Sequence, residues 1–255
     1  KCRVLYFYFL DGFLLRQSFQ SLPRFENQIF GIEPYIILFV EVFMNPKELF
    51  YKKSGIKVCE NLKKHFFDAY YVDTKEDALK KSLELISKQD SVSWGGTITM
   101  EQIGLKQALI DNNYILIDRD TAKSPEERVE LMHKALSCGT YIMSANAITS
   151  DGQLFNIDGN GNRVAALCYG PKNILVIAGM NKVVKTVEDA YNRARNFAAP
   201  ANKQRFENIQ TPCETTGQCA NCIREDSICN QFVLTRLSHP KNRIKVILVG
   251  EDLGL

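Results

Sequence analysis

The sequence predicts an α/β protein with an open, mainly parallel sheet and helices on both faces. From Met44 onwards, stretches of helical periodicity alternate with short apolar runs that are typical of strands. Strands separated by helices need crossover connections, and these favour a parallel sheet covered on both faces. The stretch from Gly139 to Gly179 adds a third observation, because it places glycines and small polar residues in one loop between hydrophobic strands. Open α/β sheets usually bind their ligands in such loops.

Each predicted element follows from a local pattern of apolar residues and capping signals. Four helix starts carry a side-chain acceptor with an acid or amide three residues later, at Thr74, Thr99, Ser124 and Thr186. The predicted helices are 46–66, 75–87, 100–112, 125–137, a short one that opens at Arg163, and 186–199, which stops before Pro200. The predicted strands are 69–72, 91–94, 114–117, 141–147, 153–157, 174–178, 231–237 and 243–249.

The chain divides into an atypical N-terminal extension, residues 1–43, and one domain, residues 44–255. The extension holds eight of the 15 phenylalanines, contains no alanine and begins at Lys1. We interpret it as spurious sequence upstream of a true start at Met44, and the alternative is a membrane-surface or targeting segment. The 255 residues are 45% hydrophobic and 24% charged, as expected of a globular protein with a sizeable core.

Composition disfavours several classes of partner. The net charge is only +3, and no block of basic residues is interleaved with aromatics, so nucleic acid is not expected. Apolar runs such as Tyr35 to Val40, which continues past Glu41 to Phe43, are too short to span a bilayer. Eight cysteines without a secretory signal, four of them clustered, indicate metal binding in a reducing compartment. We therefore expect a cytoplasmic protein.

The glycine turn Gly95-Gly96-Thr97 follows a predicted strand and precedes a predicted helix. Two glycines let the backbone approach a ligand closely, and free N–H groups at a helix start can bind a carboxylate or phosphate. The signature of a Walker loop is absent. The alternative is a tight βα turn with nothing bound.

A second loop, Asp158-Gly159-Asn160-Gly161-Asn162-Arg163, has the composition of a ligand-binding wall. Its glycines permit positive φ angles, Asn160 and Asn162 present amides, and Arg163 offers a guanidinium fork for a carboxylate. It lacks the closing acid of a calcium loop. The alternative is an Asx-turn loop in which Arg163 pairs with a neighbouring acid.

The most specific motif is the cysteine segment, residues 213–229, with the spacing Cys213-x5-Cys219-x2-Cys222-x6-Cys229. Four thiolates on a short loop can bind one zinc ion or a cubane iron–sulfur cluster, and the spacing leaves both open. We expect all four to bind one centre, since crowded thiolates repel one another unless a cation neutralises them. The histidines His65, His133 and His239 are interpreted as ordinary surface or core residues.

Several of these motifs together resemble those of the LUD-domain, or lactate-utilisation, proteins over Met44 to Leu255. The resemblance rests on the following segments: Ser93 to Thr97, Ser144 to Ile148, Asp151-Gly152, Asn156 to Arg163, Ala199 to Asn202, the cysteine segment, and Glu251 to Gly254. It implies a three-layer fold like that of glucosamine-phosphate deaminase, ribose-phosphate isomerase and CoA transferase. It also implies electron transfer or ligand handling during oxidation of L-lactate to pyruvate. We add Asn146, within the second motif, to the candidate ligand residues.

The first hypothesis is a LUD-domain protein that binds a small carboxylate or phosphorylated ligand and takes part in L-lactate oxidation or related redox metabolism. An iron–sulfur cluster, with zinc as the alternative, would connect it to redox partner subunits. The second hypothesis is a transferase or isomerase acting on an acyl-CoA or sugar phosphate, with Glu101 or Glu251 as nucleophile or base and a structural zinc. The third is a non-catalytic sensor subunit. A homo-oligomer is compatible with each.

Overall fold

The computed structural model describes residues 45–207 and 209–255. The predictions made for residues 1–43 lie outside this part of the chain. The α-helices are α1 Pro46–Lys64, α2 Lys75–Leu85, α3 Ile98–Gln102, α4 Leu105–Asp111, α5 Pro125–Ala135, α6 Asn162–Tyr169, α7 Val187–Arg193, α8 Ala199–Lys203 and α9 Pro212–Thr216. The strands are β1 Asp68–Val72, β2 Ser91–Trp94, β3 Ile115–Ile117, β4 Thr140–Met143, β5 Ala147–Thr149, β6 Leu154–Asp158, β7 Asn173–Gly179, β8 Val183–Val184, β9 Gln231–Thr235 and β10 Ile244–Val249.

Six strands form one sheet in the order β1-β10-β7-β4-β2-β3, and every neighbouring pair is parallel. Residues in the centre of the sheet are buried on both faces, as in Ile174 to Ala178 of β7. Alternate residues of a strand point to opposite faces, so Val246 and Leu248 belong to one apolar cluster, and Ile247 and Val249 to the other. This explains why the strands have continuous apolar sequences.

Helices cover both faces of the six-stranded sheet. Helix α1 contributes Val58 and Leu62 to one core, together with residues of α5 and α6. The other core contains Ala78 of α2 and Leu109 of α4. The predicted fold class, a parallel α/β sheet between two layers of helices, is therefore confirmed.

A second sheet of four strands, in the order β8-β5-β6-β9, was not foreseen from the sequence. The apolar run 141–147, predicted as one strand, contains two strands that belong to different sheets. After Met143 the chain leaves the parallel sheet, and the backbone N–H of Asn146 donates to Phe155 of β6 instead. Periodicity cannot show this change of partner, because both strands are fully buried.

Two predicted helices differ from the observed ones. The helix expected over 100–112 is broken into α3 and α4 at Gly104, whose φ is 72°, and α3 begins after Thr97 rather than Thr99. The helix expected to stop before Pro200 continues through a π-helical turn, 194–198, into α8. Pro200 directly follows the π-helical turn, where the regular i→i−4 hydrogen bonding is already interrupted, so its missing N–H costs less than in an unbroken α-helix. The capping predictions at Thr74, Ser124 and Thr186 are confirmed.

Within the described part of the chain, every helix is too short or too polar to cross a bilayer.

Candidate functional site

A cavity of about 650 Å³ lies at the carboxyl edge of the six-stranded sheet. We call it the sheet-edge cavity. Trp94 ends β2, Ser144 follows β4 and Lys182 follows β7, and all three line it. Parallel strands bring their carboxyl ends to one edge, which is where open α/β sheets bind ligands. The predicted ligand residues all line this cavity: Gly95, Gly96, Thr97, Asn146, Asp158, Gly159, Asn160, Asn162 and Arg163.

The glycine turn is packed against two arginine side chains. A Cβ atom on Gly95 would come within 2.5 Å of Cδ of Arg163, and one on Gly96 within 3.0 Å of Nη2 of Arg119. The backbone N–H of Gly95 already donates to Ile142 in the sheet. The glycines therefore admit arginine side chains to the turn. Since α3 has only five residues, positive charge at this edge comes mainly from side chains rather than from a helix dipole.

Hydrogen bonds to the side chain of its first residue, Asp158, hold the loop 158–163 in place. Oδ2 of Asp158 accepts from the backbone N–H of Arg163 at 2.9 Å and of Val164 at 3.2 Å, and so caps α6. The Arg163 guanidinium donates to the carbonyl of Ile157 at 2.5 Å and lies 3.7 Å from the Asp158 carboxylate. Arg163 thus pairs with a neighbouring acid while also lining the cavity. The Asn146 side chain is engaged as well, because its Oδ1 accepts from the N–H of Ile157.

The guanidinium of Arg119 has weaker contacts with the rest of the protein than that of Arg163. Its Nε is buried without a hydrogen-bond partner, and Asp120 lies 3.9 Å away as its ion-pair contact. The side chain is 17% exposed. Asp120 is shared with Arg128, which approaches it more closely, at 2.9 Å. Arg119 therefore retains donor capacity for an anion in the cavity.

Lys182 is the most unusual charged group of the cavity, and the sequence reasoning missed it. It is 3% exposed, and its Nζ donates to the hydroxyl of Ser144 at 2.9 Å. Burial, together with smaller effects from the charges of Arg193 and Arg163, lowers the pKa of its ammonium to about 7. Among the described residues, no carboxylate counteracts this shift. Its position immediately after a buried strand of a parallel sheet is the sequence signal that could have revealed it.

The two carboxylates proposed as nucleophile or base lie in different places. Glu101 is exposed and lines the cavity. Glu251 is not among the lining residues, and its Oε1 accepts from the backbone N–H of Lys75 at the start of α2. Glu251 therefore caps a helix, and the chemistry proposed for it from the sequence has no basis in this geometry.

The four clustered cysteines line a second cavity of about 240 Å³, the cysteine pocket. They reach it from a segment whose regular structure is limited to α9, and all four side chains are partly exposed. Burial, together with smaller effects from negative charge on the other three cysteines, raises the pKa of the Cys229 thiol to about 11. No three cysteine, histidine or acidic side chains in residues 45–207 and 209–255 are close enough together to hold a single metal ion. The sequence thus brings four thiols to one pocket, where they are spread around its lining.

Arg195 connects the cysteine pocket to the small sheet. Its Nε and Nη2 donate to Sγ of Cys219 at 3.2 and 3.0 Å. The guanidinium also lies over the rings of Tyr191 and Phe232, at 5.4 and 5.6 Å from their centroids. Hydrogen bonds to a sulfur ligand stabilise its thiolate form. Arg195 is a candidate positioning residue that the sequence reasoning did not single out.

The two cavities share a wall. Ala199, at the start of α8, lines both of them. Residues 225–228 lie between Cys222 and Cys229 in sequence and line the sheet-edge cavity. The backbone N–H of Asn230, directly after the cysteine segment, donates to the carbonyl of Asp158 at 2.9 Å and so joins this part of the chain to the loop 158–163. The two cavities therefore adjoin.

The fold and this edge define an α/β protein with a polar cavity, lined by several arginines and a buried lysine, beside a four-cysteine pocket. The family model of the LUD domain matches residues 57–249, which include most of the described chain. The protein belongs to the LUD-domain family, and the resemblance recognised in its motifs is confirmed.

Comparison with solved structures finds more distant similarities. A DUF162 family protein from Deinococcus radiodurans is 12% identical, with a TM-score of 0.45, over 78% of this chain and 98% of that one. Ribose 5-phosphate isomerase A from Neisseria gonorrhoeae is 17% identical, with a TM-score of 0.30, over 44% and 54%. A 5-methylthioribose 1-phosphate isomerase from Pyrococcus horikoshii OT3 is 12% identical, with a TM-score of 0.33, over 64% and 50%. No curated protein matches the sequence. The family assignment rests on the LUD-domain match.

Proposed function

We propose that this LUD-domain protein binds a small carboxylate or phosphorylated ligand in the sheet-edge cavity and couples its conversion to a metal centre in the cysteine pocket. In this view it takes part in lactate oxidation or related redox metabolism. The observation that carries the proposal is that the two cavities adjoin: Ala199 lines both, and residues 225–228, between Cys222 and Cys229 in sequence, line the sheet-edge cavity. A ligand and a redox centre in the two cavities would be near neighbours.

The charges of the cavity favour an anionic ligand. Arg119, Arg163 and Lys182 are largely buried, and the pKa of Lys182 is lowered partly by the charge of Arg163. Asp158 offsets part of this charge, but its carboxylate already accepts two backbone N–H groups. Like charges held together in a poorly solvated site are stabilised by an anion between them. Carboxylate and phosphate are the anions that guanidinium groups bind best.

The four thiols of the cysteine pocket suit an iron–sulfur cluster, with zinc as the alternative. Cys213, Cys219, Cys222 and Cys229 line one cavity of about 240 Å³. A cubane takes one thiolate at each of its four irons, whereas a zinc ion binds all four sulfurs at about 2.3 Å. We propose the cluster because it would accept and release electrons beside the sheet-edge cavity.

The test of the metal centre is anaerobic purification of the full chain, followed by an absorption spectrum and metal analysis. We expect broad visible absorption that bleaches with dithionite, and about four irons per chain. One zinc per chain and no colour would remove the redox proposal. That result would favour a transferase or isomerase, in which Glu101 is the carboxylate that lines the cavity.

The test of the ligand site is calorimetric titration with lactate, inorganic phosphate and ribose 5-phosphate. We expect at least one of these anions to bind, and Arg119→Ala to weaken it. The matched control is Arg236→Ala, because Arg236 is exposed and does not line the cavity. Equal affinity in wild type and Arg119→Ala would place the anion elsewhere.

A further inference from the structure

Two lysines in the described part of the chain are almost fully buried, and their surroundings differ. Lys203 is 1% exposed, lies 3.4 Å from Glu214 and donates to the carbonyl of Phe206 at 2.7 Å. Lys182 is 3% exposed, with Ser144 as its hydrogen-bond partner and two arginines in place of an acid. Buried ammonium groups are costly unless they are paired. Lys203 has the surroundings of a structural cation, and Lys182 does not.

The position of Lys182 also points to a ligand. Its side chain lines the sheet-edge cavity. A Cβ atom on Gly254 would lie 2.8 Å from Nζ of Lys182 and 2.5 Å from Oγ1 of Thr99, so the glycine leaves room for both groups. Oγ1 of Thr99 is buried without a hydrogen-bond partner. An amine, a hydroxyl and an unpartnered hydroxyl therefore lie close together at the inner end of the cavity.

We propose that Lys182 is a nucleophilic amine that forms an imine with the carbonyl group of a small anionic aldehyde or ketone bound in the sheet-edge cavity. This inference rests on the proposed anion site and names the chemical class of its ligand. Arg119 and Arg163 carry permanent positive charge and bind the anionic group. The amine is then left to react with the carbonyl carbon.

The chemistry needs no further reactant. The lone pair of Nζ attacks the carbonyl carbon, a C–N bond forms, and a proton moves from nitrogen to oxygen to give a carbinolamine. Loss of water breaks the C–O bond and leaves the imine. The Ser144 hydroxyl, 2.9 Å from Nζ, can relay the proton between nitrogen and oxygen. The low pKa of Lys182 supports this assignment, since a substantial fraction of the amine is neutral near pH 7.

The experiment is reductive trapping on the full chain. The protein is incubated with cyanoborohydride and either glyoxylate or glycolaldehyde phosphate, and the modified peptide is located by mass spectrometry. Methylglyoxal, which is uncharged, is the comparison for the anionic group. We expect one adduct, on Lys182, with the carboxylate or the phosphate compound, and little with methylglyoxal. Whichever of the two anionic aldehydes reacts identifies the anionic group that the cavity accepts.

Three variants separate this inference from the proposed function. Lys182→Arg keeps a positive charge but cannot form an imine, so it should lose the adduct and still bind phosphate. Lys106→Arg is the matched control, because Lys106 lines the same cavity but pairs with Asp118 at 2.9 Å, and it should keep the adduct. Ser144→Ala should slow trapping several-fold while leaving phosphate affinity unchanged.

The failures are distinguishable. Anion binding without an adduct on Lys182 overturns the imine inference and leaves the anion site standing. Equal labelling of Lys182 and surface lysines, or equal labelling by methylglyoxal, also overturns it. Absence of both anion binding and the adduct contradicts the proposed function itself.

Discussion

The sheet-edge cavity and the cysteine pocket adjoin each other but are built in different ways. The first is lined by residues at the ends of β2, β4 and β7, which are held by parallel hydrogen-bonded pairing and two apolar cores. The second is lined largely by residues of an irregular segment with one helix of five residues. Few buried apolar contacts mean low local stability. The sheet-edge cavity is therefore a property of the fold, whereas the shape of the cysteine pocket would depend on the centre that we propose its cysteines bind.

The largest expected effect is on the cysteine pocket. Cys222→Ser should abolish metal binding, because a four-thiolate centre loses one ligand and the remaining thiolates lose their shared cation. Metal content per chain after anaerobic purification measures this. Cys168→Ser is the control, since Cys168 is exposed on α6, outside the segment, and should retain full metal content. Full content in Cys222→Ser would show that the four cysteines do not share one centre.

A second prediction concerns the stability of the sheet-edge cavity. Lys182→Met should stabilise the fold at pH 7 if no anion is bound, because it removes the cost of burying an ammonium. The folded pKa of Lys182 is about 7, against an ordinary value of 10.5. Between these values the unfolded chain binds more protons than the folded one, so the wild-type free energy of unfolding rises with pH. The slope from this group is at most about 1.4 kcal/mol per pH unit.

Urea unfolding of wild type and Lys182→Met at pH 7 and pH 10 measures this difference. The stabilising effect of the mutation should be greatest at pH 7 and should shrink towards pH 10. Lys203→Met provides the contrast, because it removes a donor to Phe206 and the partner of Glu214. It should destabilise the protein by about 1–3 kcal/mol. If Lys182→Met destabilises the protein at pH 7, burial of Lys182 without an acidic partner is not costly, and the prediction is wrong.

The third prediction distinguishes the roles of Arg119 and Arg163, the two arginines that pack against the glycine turn. Arg119→Ala and Arg163→Ala should each weaken anion binding by about 1.5–3 kcal/mol through loss of a charged donor. Arg163→Ala should also lower the melting temperature, because Arg163 donates to Ile157 and packs on Gly95. Arg119 has weaker contacts with the protein, so its removal should affect folding much less. Calorimetry and thermal unfolding of both variants test this, and equal loss of stability would show that Arg119 is also structural.

The smallest effect is expected where the two regions meet. A Cβ atom on Gly159 would lie 3.2 Å from Cα of Ile228 in the cysteine segment. Gly159→Ala should therefore displace the segment slightly, at a cost of about 1 kcal/mol. Faster loss of metal on dilution, with unchanged anion affinity, would show that the sheet-edge cavity keeps its structure when the cysteine segment is displaced. Loss of anion binding in this variant would show that the regions act as one unit.

Local pattern was sufficient for much of the fold. Strand β2 has the predicted bounds, three of the four predicted capping residues begin their helices, and all nine predicted ligand residues line one cavity. The strand and the caps depend on interactions between residues near one another in the chain. The grouping of the nine residues follows because parallel strands place their carboxyl ends, and the loops that follow them, at one edge of the sheet. The break at Gly104 could have been anticipated as a cost to a continuous helix, although its left-handed φ depends on the packing of α3 and α4.

The sequence by itself determined the α/β class and the four-cysteine segment, because periodicity, capping and spacing are properties of neighbouring residues, and its motifs carried the resemblance to the LUD-domain family. Tertiary structure alone decided that residues 141–147 divide between two sheets, and that Glu251 caps a helix while Glu101 lines the cavity. It also decided that Lys182 is buried beside Ser144 with arginines nearby. The environment of a charged side chain is set by residues distant in sequence, and burial and charge together fix its pKa. No local pattern contains that information.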